Sequence, residues 1–146
     1  MPVVKGCNLP DHLLYDVDNH IWFQEQGDGT VKVGMTTVAT AMAGQLVAFT
    51  PKKAGRKVDA GKSCATVESG KWVGPAKSAA AGKVVAINDD LVANPQLANQ
   101  DPYDKGWFII LEPADWAAVK PTLTPGPQVT ASYEAKMAAD GFAGCA

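Results

Sequence analysis

The sequence predicts a mainly β protein, a small sandwich or barrel flanked by helices. Three observations carry that prediction. Short apolar stretches recur with rough alternation, as in Leu14–Asp18, His20–Gln24 and Thr30–Met35. Gly-containing turns separate them, and no strand–helix–strand alternation points to a parallel sheet. The chain has 146 residues, 47% of them hydrophobic, which is enough for a single core.

Residues 1–13 read as an irregular lead, and residues 14–146 as one domain. Within the domain, Gly27-Asp28-Gly29 is a hairpin turn signal between two strands. Thr36 is placed to cap a short internal helix, Thr37 to Ala43, that Gly44 ends. Leu46–Phe49 is a short strand, and 51–62 a polar connection. Ser63–Val67 leads into a turn at Gly70-Lys71, and Trp72-Val73 leads away toward Pro75, which confines pairing there to an edge or bulge. Gly82–Asn88 and Gly106–Glu112 are further strands around a loop or short helix at 90–100. Ala114–Val119 and Ala131–Ala139 are expected C-terminal helices, the second capped by Thr130 and closed by Gly141. A short echo between 54–61 and 81–85 suggests two related half-sheets sharing one core.

The balance of charge, −2 with 13 basic and 15 acidic residues, gives no global field favouring nucleic acid or an anionic membrane. No apolar run nears the ~20 residues that span a bilayer. The first ten residues lack the apolar core of a secretory signal, so the expected location is the cytoplasm. Three cysteines without metal spacing imply neither a zinc site nor a disulfide framework. No Gly-rich phosphate loop and no nucleophile–base constellation emerges around His12 and His20, the two histidines.

The feature that carries function is Lys71. Gly70 as the first central residue of a two-residue hairpin suits a II′ turn, which needs φ > 0 there. A lysine second in such a turn projects its ammonium from the tip. That placement is poor for a core and good for a handle that another protein must reach.

The segment Gly61–Gly82, with Val67-Glu68-Ser69-Gly70-Lys71, resembles the lipoyl-lysine hairpin of the glycine cleavage H-protein family. Asp18-Asn19-His20-Ile21-Trp22 looks like that family's strand motif. Asn88-Asp89-Asp90-Leu91, Asn94-Pro95, Asn99-Gln100-Asp101-Pro102-Tyr103 and Gly106-Trp107 resemble its downstream signature, so the similarity spans roughly 14–140. The resemblance implies a barrel-sandwich hybrid of two small antiparallel sheets with a short internal helix and C-terminal helices. It implies lipoic acid in amide linkage on Lys71, a lipoate-attaching enzyme as a partner, and a carrier, not an enzyme. A monomer is expected, since the arm must swing freely.

Around Lys71, several residues admit two readings. Glu68 is either a charge marker for the attaching enzyme or a solvated strand-end carboxylate. Trp72 is either an aromatic platform beside the arm or filler on the sheet face. His20 is either a satisfied structural histidine or a guard near the dithiol. Gly70 replaces an aliphatic residue expected before the lysine. Where the family carries an acidic strand-loop, 51–62 holds five basic residues, Lys52, Lys53, Arg56, Lys57 and Lys62, and one acid, Asp59. This is either a solvated loop or an altered docking face.

Cys7 and Cys145 lie in terminal segments expected to be exposed. They are either redox-active thiols or incidental ones, while Cys64 reads as a small buried hydrophobe. With the opening Cys7–Trp22, these departures resemble the lipoate-binding proteins of cytoplasmic sulfur oxidation. There the partner is a heterodisulfide-reductase-like complex and the cargo is sulfur. The alternative is the aminomethyl carrier of glycine cleavage, partnered by glycine decarboxylase and aminomethyltransferase.

Overall fold

The structure is a computed structural model that describes residues 3–145. Every strand pair in it is antiparallel. The chain opens with a two-stranded ladder, β1 (Val3–Val4) and β2 (Cys7–Asn8). It then lays down β3 (Leu14–Asp16), β4 (Ile21–Glu25) and β5 (Val31–Met35) before the internal helix α1 (Thr37–Ala43). β6 (Leu46–Pro51), β7 (Lys57–Val58), β8 (Lys62–Ser69), β9 (Val73–Ser78) and β10 (Gly82–Ile87) follow. Short helices α2 (Asp89–Ala93) and α3 (Leu97–Gln100) lead to β11 (Ile109–Pro113), the single turn α4 (Trp116–Val119), β12 (Thr124–Pro125) and the terminal helix α5 (Val129–Asp140).

The expected pair of small sheets is unequal. One has seven strands in the order β12-β3-β4-β5-β11-β10-β7, and the other has three, β6-β8-β9. They face each other across the main core, where Phe49 meets Phe108 with ring centroids 4.7 Å apart. The opposite face of the larger sheet is covered by α5, α1 and the N-terminal ladder, through Tyr15, Trp22, Val38, Tyr133 and Met137. Both faces of β4 are therefore buried, and its Ile21-Trp22-Phe23 run is apolar throughout instead of alternating. Trp22 packs across its cross-strand partner Gly34: a Cβ there would stand 2.5 Å from the indole. Its Nε1–H donates to the carbonyls of Met35 and Pro102.

Helix α1 forms as its ends dictate. Thr36 Oγ1 accepts from Ala39 N–H, and Gly44 takes φ +83°, a conformation that costs a Cβ-bearing residue strain. Elsewhere the expectations need correction. The lead is only partly irregular: Val3–Val4 and Cys7–Asn8 pair as a ladder, residues 9–13 carry no strand or helix, and Val4, Cys7, Leu9 and Leu13 anchor it in the second core. The 51–62 connection contains β7, which pairs with β10, so the two echoing segments lie side by side. The 114–119 helix is one turn running into a 3-10 turn at Lys120–Thr122. α5 starts at Val129 from a preceding 3-10 turn, with no cap from Thr130, and ends at Gly141 in the left-handed region. Among the described residues no helix is long and apolar enough to cross a membrane.

Candidate functional site

The β8–β9 hairpin stands at one end of the three-stranded sheet, and Lys71 is exposed at its tip. The tip is closed by a 2.7 Å hydrogen bond from Ser69 N–H to the Trp72 carbonyl. Gly70 is outside the left-handed region, so the bend is not the II′ turn its sequence suggested. Ser69 organises it instead. Its buried Oγ accepts from the Lys71 N–H two residues on, at 3.3 Å, and donates to the Trp72 carbonyl. This is a Ser-type turn that needs no positive φ, and sequence reasoning passed over the residue that makes it.

From the tip the Lys71 stem folds back over α1. Its Cε lies 3.3 Å and its Nζ 3.9 Å from where a Cβ on Gly44 would stand. The corner after α1 is fixed by Asn99, whose amide donates to the Gly44 carbonyl at 3.0 Å and accepts from Leu46 N–H at 2.9 Å. At the other end of α1, Tyr103 Oη accepts from Thr37 N–H and donates to the Asn8 carbonyl. Asn88 donates to the carbonyls of Lys105 and Trp107. Within the downstream signature, Asn99 and Tyr103 are thus polar clamps on the two ends of α1 beneath Lys71, while Asn88 fixes the stretch at 105–107.

A groove of about 560 Å³ opens between α1, the start of β4 and the hairpin. Lys71 and Trp72 line its rim, Ile21, Met35, Met42 and Ala76 its apolar wall, and Asp18 and His20 one polar end. Trp72 combines both placements the sequence allows, lining the groove and covering the strand surface at Gly74. It is 42% exposed, and its indole lies over the backbone of Gly74, where a Cβ would be 2.5 Å away. Val73 and Val47 beside the tip are 62% and 57% exposed.

His20 sits at φ 57°, stacked on Tyr133 with centroids 5.7 Å apart. Its Nδ1 is 3.3 Å from Tyr133 Oη, and its Nε2 is 3.9 Å from Asp140 Oδ2. Burial, followed by the Lys136 ammonium, pulls its pKa below the ordinary imidazole value against the opposing pull of Asp140, Asp16 and Asp18. The structure therefore brings Lys71, Trp72 and His20 to one groove. Glu68 is exposed on the outer sheet face opposite Val73, away from the groove lining, as is Gly70.

The terminal thiols are not exposed. Cys7 is fully buried and bonded to Cys145, with Cα atoms 5.0 Å apart. The reason is the ladder β1–β2, which turns Cys7 inward onto α1, and the chain after α5, which returns with Cys145 N–H donating to the Lys5 carbonyl. Cys145 Sγ lies 3.9 Å from the Thr37 carbonyl oxygen at the start of α1. Cys64 is buried and its thiol is pushed up to about 12 by desolvation, as a packing residue should be. No cluster of metal-ligating side chains exists among the described residues.

Comparison with known proteins agrees with this arrangement. The family model "Glycine cleavage H-protein" matches residues 13–136. The chain is 48% identical over 127 residues to glycine cleavage system H protein 5 of Aquifex aeolicus (strain VF5), covering 84% of this chain and 85% of that one. It is 43% identical over 111 residues to probable glycine cleavage system H protein 2 of Sulfurisphaera tokodaii, 75% of each chain. The crystal structure of a glycine cleavage system H protein from Mycobacterium marinum superposes with a TM-score of 0.74 at 30% identity, over 90% of this chain and 98% of that one. The chain belongs to the glycine cleavage H-protein family, whose members are lipoyl carriers and not themselves enzymes.

Proposed function

We propose that this chain carries lipoic acid in amide linkage on Lys71 and passes a bound intermediate between enzymes. The observation that carries the reading is the exposed primary amine at the apex of a short, hydrogen-bonded hairpin, with an apolar groove directly beside it. When bound, lipoate supplies a disulfide–dithiol pair that takes up and releases cargo. The chain's own residues do the rest. The Ser69-closed turn keeps the point of attachment fixed while the arm beyond it swings. Trp72, Met42 and Ile21 offer an apolar wall that suits an alkyl chain and excludes water. His20, held neutral by burial, presents a polar end without a buried charge. Glu68, exposed three residues before Lys71, is placed for recognition by the attaching enzyme.

The names of the relatives favour the aminomethyl carrier of glycine cleavage; in this reading the chain works as a cytoplasmic monomer with glycine decarboxylase and aminomethyltransferase. A specific observation supports a second reading as well. Aquifex aeolicus has relatives numbered 2, 3 and 5, so one strain holds several such carriers. One glycine-cleaving system needs one carrier, which leaves the further copies free to serve other enzymes. The basic 51–62 loop marks this chain as such a candidate, with a heterodisulfide-reductase-like complex handling sulfur as the partner.

Intact-mass spectrometry after co-expression with a lipoate-attaching enzyme tests the shared core of both readings. A lipoyl mass increment is expected on the wild type and is absent in Lys71→Arg. An unshifted wild type after trials with several attaching enzymes overturns it. Glycine-dependent reduction of the lipoylated chain by glycine decarboxylase then separates the two: a rate matching an authentic glycine cleavage carrier eliminates the sulfur assignment.

A further inference from the structure

Strand β8 runs from Lys62 to Ser69, so the hairpin tip and the opposite pole of the three-stranded sheet are about 25 Å apart. That opposite pole is basic. The loop cations Lys52, Lys53, Arg56, Lys57 and Lys62 are all exposed there. Lys77, opposite Ser63 on β9, and Lys83, opposite Lys57 on β10, join them. The pole thus gathers seven of the chain's 13 cations. The rest of the molecule has six cations against 13 of its 15 acids, so charge is sharply polarised although the net value is only −2.

Two details speak against a merely solvated loop. Lys57 and Lys83 are direct cross-strand partners, an arrangement of like charges that destabilises a sheet. On its other side Lys83 faces Glu112, which offsets part of that repulsion, but neither Glu112 nor Asp59 closes to an ion pair with any of the seven among the described residues. The pole therefore keeps an excess of positive charge.

We infer that this pole is a docking surface for the acidic face of a partner enzyme. It would grip the carrier at the end remote from Lys71 and leave the arm free. The inference rests on the carrier reading and names the chemistry of its partner. An acidic protein fits better than nucleic acid or lipid. No exposed aromatic residue stands among the seven cations to stack on bases, and of the exposed large apolar residues only Val85 lies beside them, too little to insert into lipid, while Val47, Trp72 and Val73 are at the other pole. Such a surface sets encounter rate and partner choice. Docking at a distance from the tip makes binding independent of the state of the arm.

The test measures association of the full chain with purified glycine decarboxylase and with a purified heterodisulfide-reductase-like complex over a salt series. The chains compared are wild type, Lys71→Ala, the triple variant Lys52→Glu/Lys53→Glu/Arg56→Glu, and Lys105→Glu as a charge control. At least one enzyme should bind wild type and Lys71→Ala equally. The triple variant should associate about ten- to a hundredfold more slowly at low salt, with the gap closing as salt rises. Lys105→Glu should bind as wild type does. If the lipoylated triple variant is bound and turned over as wild type is, the docking inference falls while the carrier reading stands. If neither enzyme binds or uses the lipoylated wild type, both fall. Tighter binding of a 20-base-pair duplex than of either enzyme, lost in the triple variant, would overturn the assignment to a protein partner.

Discussion

The bond between Cys7 and Cys145 closes nearly the whole chain into a loop, with a sequence separation of 138 residues. In the chain-entropy account, removing that constraint frees the unfolded ensemble by about 5 kcal/mol, and native bridges of this kind deliver roughly 2–5 kcal/mol. A chain of 146 residues melts with an entropy of about 0.3 kcal/mol/K, so each kcal/mol shifts the midpoint by about 3 °C. Reducing the wild type with dithiothreitol, or replacing both residues as Cys7→Ala/Cys145→Ala, should therefore lower Tm by about 7–15 °C. Alanine is chosen because Cys7 is buried among apolar side chains and a serine hydroxyl would go unpartnered there. The assay is a calorimetric melt with and without reductant. The double variant serves as control and should show no response to reductant, since Cys64 is inaccessible. Because Cys145 sits on the first turn of α1, amide exchange at 37–43 should quicken as well. A shift below about 2 °C in both the reduced wild type and the double variant would refute the claim that the bridge constrains the unfolded chain.

Three further outcomes follow from the same geometry. Lys71→Arg should leave Tm within about 1–2 °C of wild type, because the side chain is exposed and makes no ion pair among the described residues, while lipoylation is lost; a large drop in Tm would give Lys71 a structural role instead. Gly74→Ala places a methyl in the seat of the Trp72 indole, so acrylamide should quench Trp72 more strongly, read as the difference from Trp72→Phe in each background; equal quenching would show that the indole does not rest there. The depressed affinity of His20 for a proton means the unfolded chain protonates first as pH falls. Its contribution to stability is complete above about pH 6.5 and declines below it, so His20→Asn, which tolerates the positive φ, should flatten the loss of Tm between about pH 7 and about pH 5. Identical slopes for variant and wild type would count against that assignment.

Much of the scaffold was readable from local chemistry. Thr36 and Gly44 bracket α1 because a cap hydroxyl and a positive-φ residue are local necessities. Gly141 ends α5 for the same reason. The exposed place of Lys71 followed from a lysine between strands. Non-local features were hidden. Cys7 and Cys145 meet only because an N-terminal ladder and the end of α5 converge on α1, and no spacing rule encodes that convergence. Asn99 carries no local signal of its role, because only the folded chain brings its amide to both sides of the Gly44–Leu46 corner. The turn type is hidden because glycine is the loudest turn signal, whereas a buried serine one position earlier does the closing. Trp72 was hard to place because its seat is an empty glycine surface on the next strand residue but one.

The hairpin that presents Lys71 has one further property. Its outer strand, β9, is a free border of the three-stranded sheet, and its midpoint is Pro75, opposite Thr66, with the exposed Lys77 two residues on. A border without an amide hydrogen at its centre and with a fixed positive charge near its end is a poor template for a neighbouring copy. Copies of this chain can thus crowd together without zipping into ribbons along this border, and the Lys71 tip of each stays unobstructed.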